Sequence, residues 1–169
     1  MKELIDVEGI DFSDVPWDNG GPTKYGITLA TFRAAMKDDN LTAEDLQSLT
    51  PADAAEIYRA VYWPKWMDDP AVPECIATWV FVNGVNEPMT LAIRQAQRAA
   101  GTKPDGWVGP QTIAKFAAVE PEHFLVEAGL YREARDRTLK DYDEARDGWM
   151  RRLLDTTAHC ARLVGAADA

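Results

Sequence analysis

Cysteine and histidine are scarce in this chain of 169 residues, which contains two of each. Cys75 and Cys160 have no C-x-x-C partner, and His123 and His159 add too few ligands, in the wrong spacing, for a zinc site. We therefore predict no metal and no cofactor. The two cysteines are expected to be free, largely buried thiols, with a disulfide as the alternative.

Long apolar runs and an excess of basic charge are missing as well. No apolar run approaches the ~18 residues of a membrane-spanning helix, so we expect no membrane insertion. The segment Met1–Asp6 is too short and too charged for the apolar core of a signal peptide, which predicts synthesis in the cytoplasm without such a signal. With 18 basic against 28 acidic residues the net charge is −10, which disfavours nucleic acid as a partner.

What the chain does contain is an ordinary globular composition, with 46% hydrophobic and 27% charged residues. Its length is sufficient for one compact domain or for two small lobes that share a core. No internal repeat or low-complexity linker separates parts of the chain. We expect a monomer.

The start of the chain combines one carboxylate with a segment rich in turn-forming residues. Glu8 ends a short apolar stretch that is typical of a short helix stopping at Gly9. The turn-forming run Asp18–Gly21 follows, and Tyr25–Thr28 is predicted to be the returning strand of a small β-hairpin. A carboxyl group held against apolar neighbours has the raised pKa that a general acid needs. From spacing alone, a surface glutamate beside an ordinary loop is the alternative.

Helical patterns fill most of the remaining sequence. Helix starts are predicted at Thr28, Thr42 and Thr50 from their capping residue types. The nearly continuous apolar segment from Pro73 to Val82 predicts a central buried helix, with a buried strand as the competing interpretation. Further helices are predicted over Pro51–Tyr62, over Pro88–Ala100, from Pro110 after an Asp105-Gly106 turn, and from Pro121 onward as one or two long amphipathic helices.

Two groups of side chains within these helices carry further expectations. Tryptophans around the Pro64 break, including Trp66 and Trp79, are either core anchors or platforms for sugar rings. On the helix from Pro121, one face is apolar and the opposite face is expected to be solvated and charged. The members of that charged face are Arg132, Glu133, Arg135, Asp136, Lys140, Asp143 and Glu144.

Several ordered motifs resemble those of the glycoside hydrolase family 108 muramidases, which are phage endolysins and secretion-associated lysozymes. In chain order they are Glu8-Gly9, Asp14 with Pro16, Asp18 with Gly20-Gly21, Thr23 with Gly26-Ile27-Thr28, Ile57-Tyr58-Arg59, Phe81 to Asn86, Gln97, Asp105 to Thr112, and Gly148 to Arg152. Two departures from the family pattern are Ile10, where members carry a second glycine, and one extra residue between Glu8 and Thr23.

The resemblance implies a fold and an activity. The fold would be mainly α, of the α+β lysozyme-like kind, with one small β-hairpin next to the catalytic glutamate. Residues 1–88 would form the catalytic segment and residues 89–169 a helical segment similar to peptidoglycan-binding modules, packed as one compact unit. The activity would be hydrolysis of the β-1,4 bond between N-acetylmuramic acid and N-acetylglucosamine in bacterial peptidoglycan. As a phage endolysin the protein would reach the wall through a membrane pore or a dedicated export route.

Seven residues are candidates for the site. We expect Glu8, Asp18, Thr23 and Thr28 to serve catalysis and Tyr25, Asn83 and Asn86 to bind substrate. Structural alternatives stand beside these roles: Thr28 as a helix cap, Asp18 as a turn residue, and the asparagines as braces for backbone. The alternatives at the level of function are a peptidoglycan-binding protein without activity and a structural component of a phage particle.

Overall fold

The computed structural model describes residues 12–13 and 21–167, and the statements that follow refer to these residues. The chain divides into two compact units, Met1–Trp63 and Pro64–Ala169. The predicted division of function after residue 88 is a different boundary and stays a prediction.

The first unit contains an antiparallel hairpin of strands β1 (Thr23–Lys24) and β2 (Ile27–Thr28). The returning strand was predicted to start at Tyr25, and this prediction was wrong by two residues. Tyr25 and Gly26 form the turn, with φ angles of 53° and 73°. Positive φ at both turn positions is the type I′ geometry, which matches the twist of the two strands. This demand outweighs the preference of tyrosine for extended backbone.

Three helices complete the described part of the first unit: α1 (Leu29–Met36), α2 (Ala43–Ser48) and α3 (Pro51–Tyr62). The predicted starts are confirmed, because the hydroxyls of Thr28, Thr42 and Thr50 each accept a hydrogen bond from the backbone N–H three residues later. Helix α1 packs against α2, α3 and β2. Their shared core consists of Ile27, Phe32, Leu46, Leu49, Ala54, Ile57 and Tyr58.

The regular elements described in the second unit are all helices. A 3₁₀ helix (Lys65–Asp68) precedes α4 (Glu74–Asn86), α5 (Met89–Ala99), α6 (Pro110–Ala118), α7 (Pro121–Asp136) and α8 (Tyr142–Ala167). The apolar segment after Pro73 is therefore a helix, as predicted, and not a strand. Helix α4 is surrounded, since it packs against α5, α7 and α8.

Aromatic rings fill the core of the second unit. Trp79 of α4 is fully buried and meets Phe124 of α7 edge-on, with ring centroids 6.0 Å apart. Phe124 in turn meets Phe116 at 6.4 Å, and Phe116 meets Trp66 at 5.9 Å. The core reading of Trp79 is thereby confirmed. Across the described residues, no helix combines the length and apolar character needed to cross a membrane.

Candidate functional site

The hairpin places Thr23 and Thr28 directly opposite each other. The backbone of Thr23 exchanges hydrogen bonds with Ser13 instead, from Ser13 N to Thr23 O at 2.9 Å and from Thr23 N to Ser13 O at 2.8 Å. The two threonines are thus the non-hydrogen-bonded kind of cross-strand pair, whose side chains share one face and lie close together. The structure therefore brings two of the predicted catalytic residues together.

The two threonine hydroxyls have different partners. The hydroxyl of Thr23 donates to the carbonyl of Gly21 at 2.9 Å, which leaves its lone pairs available to accept another hydrogen bond. The hydroxyl of Thr28 accepts from the backbone N–H of Thr31 at 3.2 Å and lies 3.1 Å from the Thr31 hydroxyl. Thr28 thus has the expected capping role, while its catalytic role stays a prediction.

Long-range hydrogen bonds hold the hairpin against the helices of its unit. The phenol of Tyr58 donates to the carbonyl of Tyr25 at 2.8 Å. The ammonium of Lys24 donates to the carbonyls of Gln47 and of Leu49, the latter at 2.8 Å. Tyr25 itself is only 6% exposed, so little of its ring is available to a ligand in this arrangement. Its assignment as a substrate-binding residue remains a prediction.

Glu8 and Asp18 lie outside the described residues, as does the short helix predicted to end at Gly9. Their catalytic roles are taken up again as proposals below.

Asn83 and Asn86 lie one turn apart on α4, where both brace the backbone. The Asn83 amide donates to the carbonyl of Trp79 at 2.8 Å, and that of Asn86 donates to the carbonyl of Val82 at 2.9 Å. Each NH₂ group points to the backbone of α4, so each Oδ1 points away from that backbone and can accept a hydrogen bond. Arg132 donates to Oδ1 of Asn83 at 2.8 Å. Oδ1 of Asn86 likewise accepts from Arg152.

The charged face predicted for the helix after Pro121 is wrong at two positions. Arg132 and Asp136 are buried, and Nε of Arg132 donates to Asp136 at 2.8 Å. The cause is that α7 is packed against α4, α5 and α8, so a second face of it has no access to water. The sequence contained a signal, because Arg132 and Asp136 continue at four-residue spacing the apolar row of Phe124 and Ala128.

Glu87 is a second buried carboxylate of this cluster, beside Asp136, and its side chain is fully inaccessible. Its Oε1 lies 3.4 Å from Nη1 of Arg132, an electrostatic contact without hydrogen-bond geometry, and its Oε2 lies 3.7 Å from Nε of Arg135. Gln95 donates to Oε2 at 3.4 Å. Burial raises the pKa of Glu87, and the two arginines oppose that rise.

A cavity of about 170 Å³ opens beside this cluster. We call it the arginine cavity. Its lining residues are Asn83, Asn86, Arg132, Arg135, Leu139, Trp149, Arg152 and Leu153. The two asparagines predicted to bind substrate therefore share one concave site with three guanidinium groups, which sequence reasoning did not connect to them.

A second polar arrangement holds the turn between α5 and α6. The buried amide of Gln97 donates to Asp105 Oδ1 at 3.0 Å and to the carbonyl of Trp107 at 2.9 Å, and its Oε1 accepts from the N–H of Gly106 at 2.8 Å. Gly106 has a φ of +80°, as the predicted Asp105-Gly106 turn requires. The turn presents Trp107 with 75% of its surface exposed.

Within the described part of the chain, no group of three or more His, Cys, Asp or Glu side chains is placed to hold a metal ion.

Comparison with known proteins identifies the family. The family model described as Glycosyl hydrolase 108 matches residues 1–87, more than half of the chain. A solved structure of SagA from Brucella abortus is 25% identical in sequence and matches with a TM-score of 0.80. The match covers 95% of this chain and 91% of that one. No curated protein matches the sequence.

The match to SagA over nearly the whole chain confirms the mainly α, lysozyme-like fold with a small hairpin. The chain belongs to the glycosyl hydrolase 108 family, and this membership supports a glycosidase function of the lysozyme-like, peptidoglycan-hydrolysing kind.

Proposed function

We propose that the protein is an N-acetylmuramidase that cleaves the β-1,4 bond between N-acetylmuramic acid and N-acetylglucosamine, and that it serves as a phage endolysin. The observation that carries the proposal is the hairpin, in which Thr23 and Thr28 form an opposed pair fixed to the helices of their unit. The family match spans this hairpin and the glutamate that precedes it in the sequence.

Glu8 is the general acid of this proposal and protonates the leaving glycosidic oxygen. The hydroxyl of Thr23, which retains acceptor capacity, orients the attacking water together with Asp18. This assignment makes the enzyme inverting, a mechanism in which the two carboxyl groups stand ~6.5 to 9.5 Å apart and leave room for a water molecule. A retaining enzyme would need a nucleophile roughly 5 to 5.5 Å from the acid.

In this proposal, residues 89–169 bind peptidoglycan and residues 1–88 contain the catalytic residues. The exposed Trp107 supports wall binding, because its ring is held on a turn that Gln97 fixes and an aromatic face stacks well on sugars. Wall binding without cleavage is the second candidate function. The feature that favours it is Ile10, which stands where family members carry glycine.

The test is lysis of purified peptidoglycan by wild type and by Glu8→Gln, which keeps the shape of the side chain and removes its acid. General acid catalysis contributes roughly 10² to 10⁴ in rate, and a loss of that size is expected. The matched control is Glu56→Gln, which removes an exposed carboxylate from α3 in the same unit. Wall binding with no lysis by the wild type would instead identify the second candidate.

The stereochemistry is decided by proton NMR of the products from a soluble wall fragment. Inversion predicts that the α-anomer forms first. A β-anomer formed first would show retention and would remove Asp18 from the role of water-positioning group, whatever Asp18→Asn does to the rate.

The endolysin role predicts that cells expressing the protein lyse only after their inner membrane is permeabilised.

A further inference from the structure

At the arginine cavity, two guanidinium groups are each held by a hydrogen bond to an asparagine side chain of α4. The side-chain amides of Asn83 and Asn86 each donate to the carbonyl four residues earlier in α4, so that Oδ1 points away from the helix backbone. Arg132 and Arg152 each donate Nη1 to one of these oxygens. The two arginines come from different helices, α7 and α8, so their approach to one row of α4 is a product of the fold.

The charges around the cavity do not cancel. Its three arginines face two carboxylates, Glu87 and Asp136, which contact Arg132 and Arg135 at 2.8 to 3.7 Å. Arg152 makes no ion pair with a carboxylate among the described residues, and its Nε and Nη2 make no hydrogen bond with them. At least one positive charge is therefore left for an anion. Because burial raises the pKa of Glu87, the excess grows wherever that group is protonated.

The rest of the lining is apolar. Trp149, Leu139 and Leu153 are half-buried and complete the wall, while the exposed Arg152 marks the side open to solvent. A ligand that suits this cavity has an anionic group next to a short aliphatic side chain. Its volume of about 170 Å³ accommodates a small group such as one amino-acid residue.

We propose that the arginine cavity binds the free carboxylate of a short peptide, with Arg152 as its principal partner. This inference rests on the proposed function, because the peptides of peptidoglycan carry such carboxylates. The planar fork of a guanidinium matches a carboxylate with two parallel hydrogen bonds, and Nε and Nη2 of Arg152 form that fork. Trp149 and Leu153 contact the aliphatic side chain that precedes the carboxylate. The cavity thus engages the peptide part of the wall, whereas the proposed catalytic residues act on its glycan.

The experiment is an NMR titration of the whole protein with D-alanyl-D-alanine at low ionic strength, following the indole N–H of Trp149 and the Nε–H of Arg152. We expect saturable shifts of both signals. A hydrogen bond to a charged group contributes about 1.5 kcal/mol or more, so Arg152→Ala should weaken binding at least about tenfold. Arg152→Lys keeps the charge without the fork and should lose most of that affinity.

The matched control is Arg151→Ala, which removes an exposed arginine next in sequence that does not line the cavity. It should bind like the wild type. The C-terminal amide of the dipeptide should not bind, because it lacks the carboxylate. Melting temperatures of all variants establish that they are folded. Absence of saturable binding, or equal binding of the amide, overturns the proposal, and tighter binding of inorganic phosphate overturns its assignment to a carboxylate.

The probe contains no glycosidic bond, so this result is independent of catalysis. If Glu8→Gln still lyses walls while the dipeptide binds, the proposed catalytic role fails and the peptide site stands. If Glu8→Gln is inactive and the dipeptide does not bind, the catalytic role stands and the peptide site fails.

Discussion

The phenol of Tyr58 in α3 donates a hydrogen bond of 2.8 Å to the carbonyl of Tyr25, at the turn of the β-hairpin and 33 residues earlier in the chain. Both residues are buried. This bond fixes the turn to a helix and thereby positions the strand pair that carries Thr23 and Thr28. It links the core of the first unit directly to its candidate site.

Tyr58→Phe is therefore expected to destabilise the protein by about 1 to 3 kcal/mol, because the buried carbonyl of Tyr25 loses its donor. Chemical denaturation measures this change. The control is Tyr62→Phe, one turn later in α3, where the ring is half-buried and should tolerate the change within about 0.5 kcal/mol. Equal stability of Tyr58→Phe and wild type would mean that the bond does not hold the turn.

Local chemistry made much of this fold predictable. Thr42 and Thr50 are capping residues because a carboxylate stands three residues after each, and both capping boxes form. The helix α4 was predictable as a buried element because its apolar residues cover every side. The turn at Tyr25 was not, since the number of residues between two short strands decides whether a residue is paired or turning, and that number is set by register.

The charged cluster was missed for a different reason. A row of charges on a helix is solvated when the helix has one buried face, and α7 has more than one. Arg132 and Asp136 are buried because tertiary packing surrounds α7, and the sequence signal for this burial was their place in the four-residue row that starts with Phe124 and Ala128. Asn83 and Asn86 could be named from the sequence as polar interruptions of an apolar helix. Their arginine partners lie dozens of residues away, and only the fold brings them together.

Gly106 and Gly129 are expected to respond to alanine with opposite signs. Gly106 has a φ of +80°, and an added Cβ would lie 3.3 Å from both Nε of Arg94 and the carbonyl of Thr90. Gly106→Ala should cost about 1 to 2 kcal/mol from the left-handed backbone alone. Gly129 is inside α7 and a Cβ there meets nothing within 4 Å, so Gly129→Ala should stabilise by about 0.5 to 1 kcal/mol. Melting temperatures of the pair measure both; a stable Gly106→Ala would contradict the strained turn.

Cys160 is expected to be unreactive in the folded protein. Burial raises the pKa of its thiol to about 12, so almost no thiolate is present at pH 8. Burial also raises the pKa of Cys75, and both thiols are free. An aromatic disulfide reagent at pH 8 should therefore titrate neither thiol until denaturant is added, and then both. Rapid reaction in the native state would contradict this burial, and no reaction in denaturant without reductant would reveal a disulfide.

Glu87 should make the stability of the protein depend on pH in the direction opposite to that of a surface ion pair. Burial raises the pKa of its carboxyl above the ordinary value of 4.5, with Arg132 and Arg135 opposing the rise. The folded state therefore holds this proton more tightly than the unfolded state does. The stability that Glu87 contributes is fully present below the unfolded pKa and is lost as pH rises through the folded pKa.

The measurement is the difference in free energy of unfolding between wild type and Glu87→Gln, taken from pH 4 to pH 7. Glutamine cannot ionise, so the variant lacks this source of pH dependence, and the difference should move in favour of Glu87→Gln as pH rises. Arg132, Arg135, Asp136 and Gln95 face the carboxyl and are the same in both proteins. Glu144→Gln, which removes an exposed carboxylate from α8, is the control. A difference that moves in favour of the wild type as pH rises would mean that the two arginines outweigh burial and that the carboxylate stabilises the fold in its ionised form.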